Sequence, residues 1–67
     1  MSVTTSKNGV GVALRSIRKL AGMTLDDVSR AAGVSAPYLS NVENGNVTPS
    51  PGWVHTVLEV IGKEIAA

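Results

Sequence analysis

A helix-ending glycine followed by a hydroxyl residue suited to start the next helix occurs three times in this chain: Gly22 and Thr24, Gly33 and Ser35, Gly45 and Ser50. Glycine supplies the left-handed conformation that closes a helix, and a serine or threonine oxygen accepts an N–H from the first turn of the following one. No stretch between these marks alternates polar and apolar residues around a hairpin turn, so strands are not expected. The punctuation predicts an all-α fold, a compact bundle of four to five helices with short connections.

Each segment carries its own apolar stripe. From Val10, the residues Val10, Leu14, Ile17 and Ala21 follow helical spacing with Ala13 and Leu20 beside them, while Arg15, Arg18 and Lys19 take the other side. Gly22 ends this first helix. Thr24 caps the second, Asp27 stands at its third position as in a capping box, and Met23 with Val28 forms a hydrophobic staple. Leu25, Val28 and Ala32 make its buried stripe up to Gly33. In the third helix Ser35 is the cap, and Pro37 falls in the first turn, where a missing N–H costs nothing. Val34 and Leu39 pair as a second staple, Leu39 and Val42 point inward, and Asn44-Gly45 ends the helix. Ser50 and Pro51 open a fourth helix with Val54, Val57, Leu58 and Ile61 inward. Trp53 lies beside that stripe and reads as a core anchor rather than a stacking platform for a ligand. Gly62 is expected to end the helix, leaving residues 63–67 as a frayed turn or a short stub. Residues 1–9 lack periodicity and read as a flexible tail ahead of one domain, residues 10–67.

Composition removes several function classes. With 67 residues and no cysteine, the chain has neither disulfide nor thiolate site, and its single histidine, His55, has no companion at metal-ligand spacing. No cofactor or metal is expected. No apolar run nears the ~20 residues of a membrane span and no signal-peptide pattern opens the chain, so it reads as cytoplasmic with no membrane partner. A nucleophile–base pair, a phosphate loop and paired carboxylates in a pocket are all missing, which argues against an enzyme and against a small-molecule substrate.

Net charge is only +1, but it is unevenly spread: Lys7, Arg15, Arg18 and Lys19 all precede the first acid, Asp26. A basic first third suits phosphate contacts, although charge alone fits an ordinary solvated helix equally well. The third helix is more telling. With Val28, Val34, Leu39 and Val42 inward and Ser29 and Ala32 small enough for two helices to cross, the second and third helices and the Gly33 turn fit a helix-turn-helix. Ala36, Pro37, Ser40, Asn41 and Asn44 then lie outside. They are unusual surface filler but well chosen to face bases in a major groove. Asn41 suits adenine, Ser40 suits several bases, and Ala36 and Pro37 offer apolar contact to a thymine methyl.

The stretch "LRSIRKLAGMTLDDVSRAAGVSAPYLSNVENG" followed by "TPSPGWVHTVLEVIG" resembles the Cro/C1-type, lambda-repressor-like helix-turn-helix family over about residues 12–62. The strongest matches are Ile17-Arg18, Thr24, Gly33-Val34-Ser35, Leu39-Ser40, Val42-Glu43, Gly45 and Pro49-Ser50. The resemblance implies a regulator that reads double-stranded DNA with residues 35–44, and a structural salt bridge between Arg18 and Glu43. Two positions depart from the family pattern. Leu25 replaces the glutamine that usually holds a phosphate, and Ser29 replaces the usual alanine at the helix crossing. Phosphate contacts are therefore expected from Arg15, Lys19, Thr24, Ser35, Tyr38 and Asn46, with Arg18 also weighed. A homodimer on a palindromic site is the implied assembly, with Trp53, Ile61 and Ile65 as the expected dimer surface. The competing reading is a protein-interaction module on the same fold, such as an antitoxin or anti-regulator.

Overall fold

A computed structural model describes residues 9–67 of the chain. Four helices make up the fold: α1 (Gly9–Leu20), α2 (Leu25–Ala32), α3 (Ala36–Glu43) and α4 (Pro51–Ala66), with no strand among the described residues. The expected tail lies outside the described residues except for Gly9, which opens α1. The helices start and stop where the chain chemistry requires. Thr24, Ser35 and Ser50 each accept an N–H from the first turn of α2, α3 and α4. Every helix–helix connection is short, so the three early helices fold back on one another around a shared core.

That core is small and fully apolar: Leu14, Val28, Leu39, Val42, Val57 and Ile61, all at most 2 % exposed. Ile17, Ala21, Met23, Leu25, Ala32, Val34, Val47 and Trp53 pack around it. Each of the four helices contributes: α2 packs on α3, α1 on α3, α4 on α2, and α1 and α4 also meet. No helix among the described residues is long and apolar enough to cross a membrane.

Three details differ from the sequence reading. The inward side of α1 is Gly11, Leu14 and Arg18, which leaves Val10 46 % and Leu20 77 % exposed. The reason is close approach: a Cβ on Gly11 would stand 2.1 Å from the Val42 carbonyl oxygen, so only glycine lets α1 press against the end of α3 at this point. In α4 the inward line is Trp53, Val57 and Ile61, one turn apart, and Leu58 sits outside it at 38 % exposure. Gly62 does not stop α4, which continues to Ala66. Positive φ is found only at Gly22, Gly33 and Gly45 among the described residues, so Gly62 stays helical within the run Lys63-Glu64-Ile65-Ala66. No separate fifth helix forms among the described residues.

Candidate nucleic-acid interface

The turn between α2 and α3 is built around Ser29. Gly33 adopts φ 69°, a conformation that a side chain would strain. Its N–H and that of Val34 both return to the Ser29 carbonyl, the latter at 3.1 Å. The Ser29 hydroxyl donates in turn to the Val34 carbonyl. One residue near the end of α2 therefore holds the turn by three hydrogen bonds. The chain leaves the turn at Ser35, whose Oγ accepts the Tyr38 N–H at 3.2 Å, and Pro37 occupies the first turn of α3 as expected.

Leu39 and Val42, each 1 % exposed, pin α3 to the core, and Glu43 is drawn inward as well. Its carboxylate meets Arg18 in a two-pronged pair: Arg18 Nε donates to Glu43 Oε2 at 2.8 Å and Nη2 to Oε1 at 2.9 Å. Arg18 Nη1 donates to the Met23 carbonyl at 2.9 Å, tying the same side chain to the connection before α2. Hydrogen bonding to Glu43 raises the pKa of Arg18 despite its burial. The structural salt bridge implied by the family resemblance is present. Arg18, also weighed for phosphate contact, is only 8 % exposed, and all three of its guanidinium nitrogens bond within the domain.

With that inward side fixed, Ala36, Pro37, Ser40, Asn41 and Asn44 fall at spacings of one, three, one and three along the helix, which is one face. Pro37, Asn41 and Asn44 are exposed, and Ala36 and Ser40 are half-buried at the flanks. No described helix covers them. The far end of α3 closes by a paired reversal: Gly45 N–H donates to the Val42 carbonyl at 3.0 Å, and Asn46 N–H to the Asn41 carbonyl at 2.8 Å. Gly45, at φ 78°, takes the left-handed position, whereas Asn44 remains right-handed at φ −85°. The reversal carries the Asn46 side chain back to Asn41, where its Nδ2 approaches Asn41 Oδ1 at 3.5 Å. Asn46, expected among the phosphate contacts, thus lies beside Asn41, expected to face bases.

Two other expected anchors, Ser35 and Tyr38, share one shallow groove with Gly33, Val34, Thr48, Ser50 and Trp53. The Tyr38 ring meets Trp53 edge to face, with centroids 5.3 Å apart and planes at 74°. Trp53 is therefore an anchor between core and groove. Thr48 and the Ser50 cap were not singled out from sequence as part of this surface, because nothing local to them signals it; only the packing of α4 on the turn brings them there.

At the start of α2, Thr24 and Asp27 form a reciprocal capping box: Asp27 N–H donates to Thr24 Oγ1 at 3.0 Å, and Thr24 N–H to Asp27 Oδ2 at 2.9 Å. The bond from the Thr24 backbone, then the one with its side chain, then the nearby Arg30 charge hold the Asp27 carboxyl below its ordinary pKa. Arg30 reaches both Asp26 and Asp27 at 3.2 Å on the exposed side of α2. Leu25 packs against the core, which explains an apolar residue in a place where the resembled family carries an amide. Arg15 and Lys19 are exposed on α1 and make no ion pair among the described residues. A threonine or serine cap that accepts a backbone N–H keeps its own O–H to donate, so Thr24 and Ser35 remain usable at an anion.

Comparison with known proteins agrees with this geometry. A family model described as a helix-turn-helix domain matches residues 10–63. The HTH-type transcriptional regulator DdrOP3 of Deinococcus deserti is 46% identical over 49 residues, 73% of this chain and 38% of that protein. The uncharacterized HTH-type transcriptional regulator YazB of Bacillus subtilis is 33% identical over 51 residues, 76% of this chain and 74% of that protein. This chain thus spans well under half the length of DdrOP3, and most of the length of YazB. No solved structure matches at the same level of significance.

Proposed function

We propose that this chain, which belongs to the helix-turn-helix domain family, is a sequence-specific DNA-binding transcriptional regulator of the Cro/C1 type, a phage-type repressor or Cro-like protein. Residues 35–44 enter the major groove, with Asn41 at the centre of base readout and Ala36, Pro37, Ser40 and Asn44 around it. The observation that carries this reading is the sidedness of α3. Leu39, Val42 and Glu43 are locked inward, while the opposite side presents small, neutral, hydrogen-bonding or methyl-bearing groups to solvent. A solvated face with no such task is ordinarily dominated by charge, and here it carries none. The names of the two relatives support the same reading.

Phosphates are held by Arg15 and Lys19, by the hydroxyls of Thr24, Ser35 and Tyr38, and by the Asn46 amide. One domain of this size covers only a few base pairs, so a homodimer on half-sites about 34 Å apart supplies the specificity. Ile61 cannot belong to its interface, because it is 1 % exposed in the core. The exposed apolar residues of α4, Leu58 and Ile65, share a face apart from the inward line of Trp53 and take its place.

In-vitro selection from random duplexes at low salt tests the proposal. It should yield an enriched palindrome. A selection that enriches nothing, together with recovery of one stoichiometric protein partner, would establish the interaction-module reading instead.

A further inference from the structure

We infer that Ser29, on α2, is a positioning residue that sets the discrimination between DNA sites without touching DNA, by holding the peptide from which α3 departs. This rests on the DNA-reading function proposed above. A serine inside a helix ordinarily turns its hydroxyl back one turn to a carbonyl of its own helix, where it adds little. Here the hydroxyl goes forward instead, out of α2 and across the turn to the Val34 carbonyl. That carbonyl belongs to the Val34–Ser35 peptide. Because a peptide unit is planar, fixing its oxygen also fixes the N–H of Ser35, the cap of α3.

The other two bonds at this turn, from the Gly33 and Val34 N–H groups to the Ser29 carbonyl, can form whatever side chain stands at position 29. They close α2. Only the hydroxyl reaches past Val34 to the peptide that launches the next helix. Asn41 lies nearly two turns beyond that peptide, so a small rotation there is magnified at its side chain. Hydrogen bonds to base edges weaken steeply with misalignment, whereas contacts to phosphates through Arg15 and Lys19 tolerate it. Loosening the turn therefore lowers the preference for the correct site more than it lowers binding to DNA in general.

The full chain and its Ser29→Ala variant test this, using the duplex selected with the unaltered protein and a scrambled duplex of equal length. Alanine is smaller than serine and a better helix former, so the variant folds. Its affinity for the selected duplex should fall about fivefold, the equivalent of about one net hydrogen bond, with affinity for the scrambled duplex within twofold. Amide exchange read without DNA is the second arm. Protection of the Gly33 and Val34 N–H groups should drop about fivefold while that of Leu39 and Ile61 is unchanged. Equal discrimination by the two proteins overturns the inference while leaving the function intact. Unchanged exchange at the turn overturns it whatever the DNA result. If the unaltered protein itself prefers no duplex, the function and this role fail together.

Discussion

The guanidinium of Arg18 holds the carboxylate of Glu43 by two hydrogen bonds of 2.8 and 2.9 Å, joining the first helix to the last residue of the third. Both groups are nearly buried, at 8 % and 7 % exposure. This geometry controls which way α3 faces, since Glu43 turned inward commits Asn41 and Asn44 to the outside.

Breaking that pair from one side should be severe. Arg18→Met or Glu43→Met alone leaves a buried charge without its partner, a loss of about 3–5 kcal/mol. A domain of this size has only about 3–10 kcal/mol in total, so each single variant should lose from about a third of its stability to all of it. The double variant, with neither charge, should recover most of the loss. Urea titration followed by circular dichroism measures all three.

Two glycines should respond in opposite directions. Gly11→Ala forces a methyl to within 2.1 Å of the Val42 carbonyl and should destabilise by about 1–3 kcal/mol as α1 is pushed away from α3. Gly62→Ala meets nothing within 4 Å in the middle of α4 and should stabilise by about 0.5–1 kcal/mol. Thermal melts of the two variants give the comparison directly.

Why one of these glycines was visible in the sequence as a break and the other was not follows from what each is for. Gly22, Gly33 and Gly45 stand just beyond apolar stripes and ahead of cap residues, and their positive φ is a local demand that local sequence can announce. Gly62 sits in a helix that continues, so reading it as a stop applied the same rule where no backbone demand exists. Gly11 serves a contact with α3, which is distant in sequence, and no local pattern marks it. The same distinction holds at the interface. The inward pull of Leu39 and Val42 is periodic and hence legible, whereas the Ser29 hydroxyl on Val34 and the Asn46 amide beside Asn41 depend on the path of each turn, and the inclusion of Thr48 and Ser50 on how α4 packs. Ile61 shows the limit of the pattern from the other side: apolar spacing places it on α4 but does not say which apolar residues are left over for a partner.

The capping box predicts a pH effect with a definite sign. Asp27 titrates below its ordinary value of 3.8 in the folded chain, chiefly through the Thr24 backbone N–H, so its ionised form stabilises the fold above that value. The contribution is lost as pH falls through the lower folded value. In thermal melts, the gap between the unaltered protein and Asp27→Ala should be constant near neutrality and narrow below pH 3.8. A gap that does not narrow in acid would mean the box contributes nothing through the charge.

Salt dependence should be shallow for a DNA reader. Arg15 and Lys19 are the exposed unpaired cations of α1 among the described residues, so log affinity against log salt should slope by about −2 per domain and about −4 for a dimer. Replacing Lys19 with glutamine should reduce the slope by about one per domain without changing which sequence is preferred. Fluorescence anisotropy at several salt concentrations measures it.

The most direct measurement compares Asn41→Ala with the unaltered protein on the selected duplex and on a scrambled one. If the outward side of α3 reads bases, the substitution should cost about 1–3 kcal/mol on the selected duplex and leave the scrambled one nearly unaffected. Equal losses on both duplexes, or none on either, would contradict a base-reading role for this helix.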